Sequence, residues 1–191
     1  FLPKTVGQAM VDHVLTHGRK FYKWRNAPYI PVEFSVAAYR FGHSQVRPSY
    51  RVNFGPSDAG QLFALLFNDG LAVSPVAVDM RGGTRAPNRF IDWQTFFDFG
   101  DNRSRNNKRI DTKLSTVLLD LPGVPDGEPQ SLASRNLLRH LTFKLPSGQA
   151  VAKAMGVPPL PAAALQVLQP LNLEERTPLW FYVLLEAEKL A

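Results

Sequence analysis

The chain has no cysteine among its 191 residues, and this absence excludes several kinds of chemistry. Without thiols there is no disulfide, no thiolate zinc site, no iron–sulfur cluster and no cysteine nucleophile. Long apolar runs are also missing, since runs such as 63–67 and 179–185 are far shorter than the about 20 residues that cross a bilayer. The sequence therefore predicts no transmembrane segment, and any metal ion has to be held by histidine, carboxylate or a prosthetic group.

The sequence does have enough apolar residues for a core, and it has an excess of positive charge. Apolar residues make up 45% of the chain, which argues against disorder. Lysine and arginine number 22 against 16 aspartate and glutamate residues, which gives a net charge of +6. This charge is compatible with an anionic partner: nucleic acid, a membrane surface, or the carboxylates or phosphates of a cofactor. The length corresponds to about one domain or one and a half.

Apolar residues recur at helical spacing along most of the chain, which predicts a mainly α fold. No alternating pattern long enough for a strand is found. The aromatic-rich segment 89–99 is apolar on nearly every side, so we expect it to be buried, and 71–89 is predicted to be a loop. Helices are predicted at 6–21, 32–47, 61–68, 112–119, 132–144, 148–155 and 178–190.

His43 stands out among the four histidines because of its neighbours. On a 3.6-residue period it falls on one apolar stripe, so it is predicted on the buried face of helix 32–47. Arg40 and Arg47 lie about one turn to either side, and a buried guanidinium requires an anion. A histidine on an apolar face is more often a core residue with its hydrogen bonds satisfied than a ligand, and periodicity leaves both interpretations open. The stripe consists of Val32, Val36, Tyr39, His43 and Val46.

The predicted helix 132–144 offers a second inward face that carries polar residues. An unpaired buried amide costs on the order of 1–3 kcal/mol, so Asn136 requires a partner on that face, and so does Arg139. Nearby backbone groups could satisfy the amide equally well, and the sequence alone leaves that alternative open. The face consists of Leu132, Asn136, Arg139 and Phe143, at steps of four, three and four.

Residues 33–48, EFSVAAYRFGHSQVRP, resemble the proximal-histidine helix of the animal-type haem peroxidases (the peroxidase–cyclooxygenase superfamily) in its bacterial branch. The motif SRNLLR at 134–139 resembles a later helix of the same family. LPSGQ at 145–149 and TPLWFY at 177–182 are also similar to that branch. The resemblance implies the C-terminal portion of a mainly α, peroxidase-like helical fold. Residues 1–191 would then be the proximal haem side of a single catalytic domain.

The resemblance also implies roles for four residues and a cofactor, haem b (iron protoporphyrin IX). His43 takes the place of the ligand to the haem iron, and Asn136 that of the residue accepting the other ring N–H, which fixes the tautomer. Arg40 and Arg139 match positions that face the haem propionates, where a planar guanidinium binds a carboxylate through two hydrogen bonds.

In this family, peroxide is activated on the opposite, distal face of the haem, where a histidine transfers a proton and an arginine stabilises charge. No run in 1–191 resembles the distal motif, so we expect no catalytic residue in this chain and a distal His and Arg upstream. The expected activity is that of a peroxidase that reduces hydrogen peroxide and oxidises a donor. Its expected partner is the upstream N-terminal half of the same protein, as a separate chain or a removed segment.

Two other classes of function stay open. A haem-fold pseudoenzyme, or a haem-binding protein without turnover, would keep the proximal ligand but catalyse nothing. A basic, non-enzymatic binding module would use the cationic stretch 101–109 to bind phosphates. That stretch lacks aromatic residues that stack on bases, so nucleic acid is not an expected partner.

Overall fold

The structure, a computed structural model, describes residues 2–54, 62–65 and 91–190, and over these residues the chain is mainly helical, as predicted. In this part of the chain no helix is both long enough and apolar enough to cross a membrane. The α-helices are α1 (Leu2–Val6), α2 (Gln8–His17), α3 (Val32–Val36), α4 (Leu132–Thr142), α5 (Gly148–Met155), α6 (Ala162–Leu165) and α7 (Leu179–Leu190). Segments of 3₁₀-helix lie at Ala38–Gln45, Trp93–Thr95, Thr116–Leu118 and Gln166–Leu171.

A small antiparallel sheet corrects two predictions. Strand β1 (Ser49–Asn53) pairs with β2 (Leu62–Leu65), so a strand occupies part of the predicted helix 61–68, and the expectation of no strand is wrong. A four-residue apolar run has too few residues for its period to separate helix from strand, and pairing with a neighbour decides. The predicted loop 71–89 lies outside the described residues.

Local sequence chemistry predicts several helix ends correctly. The predicted capping residue Ser131 directly precedes α4, and its hydroxyl accepts a hydrogen bond from the Ser134 N–H at 3.4 Å. Helix α5 ends at Gly156, whose φ of 67° lies in the left-handed region that glycine adopts without strain. The helix predicted at 112–119 is shorter than expected, because only Thr116–Leu118 form a 3₁₀ turn.

Helix α7 is the central element of the core. It is apolar around most of its circumference, so its side chains contribute to two buried clusters at once. The first cluster consists of Val36, Ala37, Leu145, Leu179, Trp180 and Leu184. The second consists of Leu160, Leu165, Leu168, Tyr182 and Leu185. Full burial of one large apolar side chain contributes about 1.5–3 kcal/mol, so α7 holds the described C-terminal part together.

Helices α5 and α7 begin side by side. The Gly148 N–H donates to the Thr177 carbonyl at 3.0 Å, and the Gln149 side-chain amide donates to the buried Thr177 hydroxyl at 2.8 Å. The Thr177 N–H donates in return to Gln149 Oε1 at 3.1 Å. A Cβ atom on Gly148 would lie 1.9 Å from Tyr182 Cγ, so only glycine fits at this crossing.

The aromatic segment 89–99, predicted to be buried, is largely exposed in its described part, and that prediction is wrong. Trp93, Phe97 and Phe99 are 59%, 57% and 65% exposed, whereas Thr95 is buried. The rings of Trp93 and Phe97 pack against each other with their centres 5.9 Å apart. Apolar residues on every side predict burial only where another element covers them, and the described elements bury Thr95 but leave these rings exposed.

Candidate functional site

The predicted helix 32–47 changes type in its middle. Helix α3 ends at Val36, Ala37 has φ −124° and ψ −69°, and Ala38–Gln45 continue as a 3₁₀-helix, which we call the proximal segment. A 3₁₀-helix has three residues per turn, so side chains at i and i+3 line up. Arg40 and His43 therefore lie along the same edge of the proximal segment.

The single apolar stripe predicted for this helix is wrong. Val36 is buried, but Val32 is 46% exposed and Tyr39 is 66% exposed. The spacing of four, three, four and three assumes an α-helical period, and that period holds only as far as Val36. His43 is partly buried, although the helix does not keep the spacing that predicts its place facing the interior.

Asn136, on α4, lies against His43. Its side chain is 1% exposed, and Asn136 Nδ2 lies 2.9 Å from His43 Nδ1. Asn136 Oδ1 is also buried, and among the described residues it has no hydrogen-bond partner. A half-turn of the carboxamide exchanges its two ends, so that Oδ1 accepts the Nδ1–H of the imidazole. His43 Nε2 then keeps its lone pair, as a metal-ligating histidine requires.

Arg40 and Arg139 add two positive charges at this place. Arg40 Nε donates to the Val36 carbonyl at 3.0 Å, and Trp180 Nε1 donates to the Arg40 carbonyl at 3.2 Å. Within residues 2–54 and 91–190 neither guanidinium forms an ion pair with a carboxylate. Two cations that are partly buried together are an electrostatic arrangement suited to an anion.

The same surroundings favour an uncharged imidazole. Burial lowers the pKa of His43, and the positive charge of Arg40 lowers that pKa further. Burial and the charge of Arg139 likewise lower the pKa of Arg40, although a guanidinium stays charged at any physiological pH. Neutral imidazole is the form that binds a metal ion.

The structure thus brings together the four residues that the sequence singles out: His43, Asn136, Arg40 and Arg139. They fit a group that carries both a metal ion and carboxylates, because the site offers one neutral nitrogen ligand and two cations. When His43 is held as such a ligand, the turned carboxamide offers Oδ1 to its Nδ1–H, and Nδ2 takes the buried place that Oδ1 now occupies. In the part of the chain that the structure describes, no three or more His, Asp or Glu side chains are grouped to hold a metal ion.

Lys108 is also connected to the site, although nothing in the sequence separates it from the other cations of 101–109. Its ammonium donates to the carbonyls of Ser44 and Lys113 and to the Asp111 carboxylate. A run of charged residues carries no signal that one member points inward, so such a contact becomes visible only in the structure.

Comparison of the chain with protein-family models, with curated proteins and with solved structures gave no match in any of the three. The function of the chain is therefore inferred from the geometry around His43 and from the motifs of the sequence.

Proposed function

We propose that this chain binds haem b through His43 and forms the proximal half of a haem peroxidase. The contact between the buried Asn136 carboxamide and His43 Nδ1, at 2.9 Å, carries the proposal. With Oδ1 turned toward the ring as the acceptor of the Nδ1–H, the contact engages one ring nitrogen and leaves the Nε2 lone pair for a metal ion. The resemblance of residues 33–48 to the proximal helix of the animal-type haem peroxidases supports haem as the group that brings the metal ion.

Each of the four residues has a defined task in this proposal. Bound haem supplies the iron centre at which hydrogen peroxide is reduced and a donor is oxidised. His43 binds through Nε2, and Asn136 accepts the Nδ1 proton and fixes the tautomer and the ring orientation. Arg40 and Arg139 bind the two propionate carboxylates, each through the planar fork of its guanidinium.

The proposal includes a second segment that supplies a distal histidine and arginine. The proposal gives none of the other three histidines a distal role, because His13 and His17 are exposed on α2 and His140 Nδ1 lies 3.5 Å from the Leu179 amide nitrogen. A general acid–base group contributes about 10²–10⁴-fold to such a reaction, so its source matters.

Apolar side chains on the surface support the presence of such a segment. Helix α2, all of which the structure describes, buries none of its residues, and Met10 and Leu15 are 53% and 79% exposed. Trp93 and Phe97 add aromatic surface. Exposed apolar surface of this extent is typical of an interaction site, and the upstream half of the same protein is the partner that the proposal requires.

The first test is the removal of the ligand. Purified chain titrated with haem should give the Soret band of a histidine-ligated haem, and His43→Ala should abolish it. His17→Ala is the matched control, because His17 is exposed on α2, and it should keep the wild-type spectrum. If His43→Ala keeps the wild-type spectrum and affinity, the ligand assignment is wrong.

The second test concerns the propionate contacts. Arg139→Lys keeps the charge but loses the fork, and a charge-assisted hydrogen bond contributes about 1.5–3 kcal/mol, so we expect haem to dissociate at least about tenfold faster. Arg135→Lys is the control on the same helix, because Arg135 donates to the Pro129 carbonyl at 3.4 Å instead. Equal dissociation rates for both variants would show that Arg139 does not contact the cofactor.

A haem-binding protein without turnover is the second candidate function. This candidate is favoured because His13, His17 and His140 lie elsewhere and His43 is the single histidine of the site. The site therefore has no second histidine to transfer a proton to or from peroxide. Peroxide-dependent oxidation of a phenolic dye, at matched haem content, separates the two candidates. We expect turnover only when the upstream segment is added. A chain that stays inactive with that segment would favour the second candidate.

A further inference from the structure

Residues 106–115, which we call the clasp loop, pack against the carboxyl end of the proximal segment. The Gln45 side-chain amide donates to the Lys108 carbonyl at 3.2 Å, and the Ser115 hydroxyl donates to the Val46 carbonyl. These contacts join parts of the chain that are more than 60 residues apart in sequence. The loop therefore holds the backbone on the carboxyl side of His43.

The ammonium of Lys108 is the most highly connected group in this contact. It donates to the Ser44 carbonyl at 2.5 Å, to the Lys113 carbonyl at 2.6 Å and to Asp111 Oδ1 at 3.1 Å. An ammonium group has three N–H donors, so all three are used. Ser44 is fully buried near the carboxyl end of the proximal segment. Its carbonyl is one of the last of the helix, which carry a partial negative charge, and the Lys108 cation is attracted to that charge.

The proximal segment is fixed on its other side as well. Trp180, near the start of α7, donates its indole N–H to the Arg40 carbonyl at 3.2 Å. The backbone is therefore held three residues before His43 and one residue after it. With both carbonyls held, the short turn between them has little freedom, and the His43 ring is kept at hydrogen-bond distance from Asn136.

We propose that Lys108 is a positioning residue for His43: by holding the Ser44 carbonyl it fixes the imidazole against Asn136. The inference deepens the proposed function and rests on it only where it concerns haem. A loop contact that merely stabilises the fold would lower stability when removed and leave the hydrogen bonding of the His43 ring unchanged. The experiment therefore has to measure the ring itself.

The test uses the full chain with ¹⁵N-labelled histidine, in which ring-nitrogen chemical shifts report the tautomer and hydrogen bonding of each imidazole. Asn136→Leu identifies the His43 resonances and marks the shift expected when the hydrogen bond is lost. Lys108→Met should move the His43 resonances toward those of Asn136→Leu. Lys113→Met is the matched control, because the Lys113 side chain is exposed on the same loop, and it should give wild-type resonances.

Wild-type His43 resonances in a folded Lys108→Met chain would overturn the proposal. Should Lys108→Met fail to fold, Asp111→Asn provides the same test, because it weakens one of the three contacts of the ammonium and leaves the other two. In that case a His43 shift supports the positioning role, and its absence overturns it.

A second arm of the experiment uses haem. Removing a direct hydrogen-bond partner of a metal ligand typically lowers metal affinity about 10–100-fold, and Asn136→Leu is such a change. Lys108→Met should lower the haem affinity less than Asn136→Leu does, but more than Lys113→Met does. If the wild-type chain binds no haem, the proposed function fails, and the ring resonances measured without haem still decide the role of Lys108. If haem binds but the affinity of Lys108→Met equals that of Lys113→Met, the positioning role fails and the proposed function stands.

Discussion

Replacing Asn136 by aspartate isolates the electrostatic part of its contact with His43. The two side chains have nearly the same shape, so the packing of this buried residue is kept while Nδ2 is exchanged for a charged oxygen. The carboxylate then faces His43 Nδ1 across the same 2.9 Å contact, and either of its oxygens can accept the ring proton. The imidazole gains electron density and becomes a stronger donor toward a bound metal ion.

The size of the effect follows from the strengths of the two hydrogen bonds. A neutral hydrogen bond contributes about 0.5–1.5 kcal/mol and one to a charged group about 1.5–3 kcal/mol, so the gain is on the order of 1 kcal/mol. The added negative charge stabilises ferric over ferrous iron. A tenfold change in a one-electron equilibrium corresponds to about 59 mV, so we expect the midpoint potential of bound haem to fall by roughly 40–50 mV.

The assay is a spectroelectrochemical titration that follows the Soret band of haem-loaded protein at pH 7 and constant salt. The control is Asn26→Asp, which adds the same charge at an exposed position and should leave the potential within error of the wild type. An unchanged or higher potential in Asn136→Asp would refute the conclusion that Asn136 is the hydrogen-bond partner of the ligand.

Two further predictions concern stability and need no cofactor. Gly148→Ala places a Cβ 1.9 Å from the Tyr182 ring, and overpacking of this kind costs about 1–3 kcal/mol or more. Urea denaturation should therefore show a clearly lower free energy of unfolding. Gly42→Ala is the control, because its Cβ has open space, and it should change that free energy by less than about 0.5 kcal/mol. A small change for Gly148→Ala would mean that the helices separate there at little cost. Burial holds the pKa of His140 below its ordinary 6.5. As the pH falls below about 6.5, the unfolded chain therefore takes up the proton before the folded chain does, and the free energy of unfolding falls. Above that pH His140 is neutral in both states and does not lower the stability. His140→Asn should therefore flatten part of the acid-side slope of the urea midpoint, and His43, whose pKa is lowered in the same direction, should contribute to the slope that is left. An unchanged slope would contradict this.

The parts of the fold that local chemistry determines could be predicted from the sequence. Helix α5 lies at its predicted position because the Ser147 hydroxyl accepts from the Ala150 N–H at 3.2 Å and because Gly156 adopts the left-handed conformation that ends it. Helix α7 begins directly after Pro178, whose carbonyl accepts a hydrogen bond from the Tyr182 N–H at 2.9 Å. In both cases residues within four positions of the helix end supply the signal.

The proximal segment could not be predicted, because distant contacts determine its conformation. An α-helix and a 3₁₀-helix differ by about 0.6 residue per turn, which is too little to read from eight residues. The choice depends on Trp180 and Lys108, which hold carbonyls of the segment from 140 and 64 positions away in sequence. Strand β2 likewise depends on β1, and the exposure of segment 89–99 depends on what covers it.

The candidate site could be assembled from the sequence only through the motif around His43. Periodicity places Asn136 on an inward face, and the structure does bury it, but no spacing rule pairs two residues that are 93 positions apart. The like-charge proximity of Arg40 and Arg139 is invisible in the same way, because their separate helices bring them together only in three dimensions.

The shared start of α5 and α7 determines which part of the protein controls the lifetime of the site. Because Gly148 and Gln149 hydrogen-bond with Thr177, neither helix can fray at its first turn without breaking contacts of the other, so the two should open as one cooperative unit. Trp180 belongs to this unit and holds the Arg40 carbonyl. The amides of α5 and α7 should therefore exchange with solvent deuterium at a common, slow rate. Opening of this unit, and not fraying of the exposed α2, should limit how long a bound group is retained.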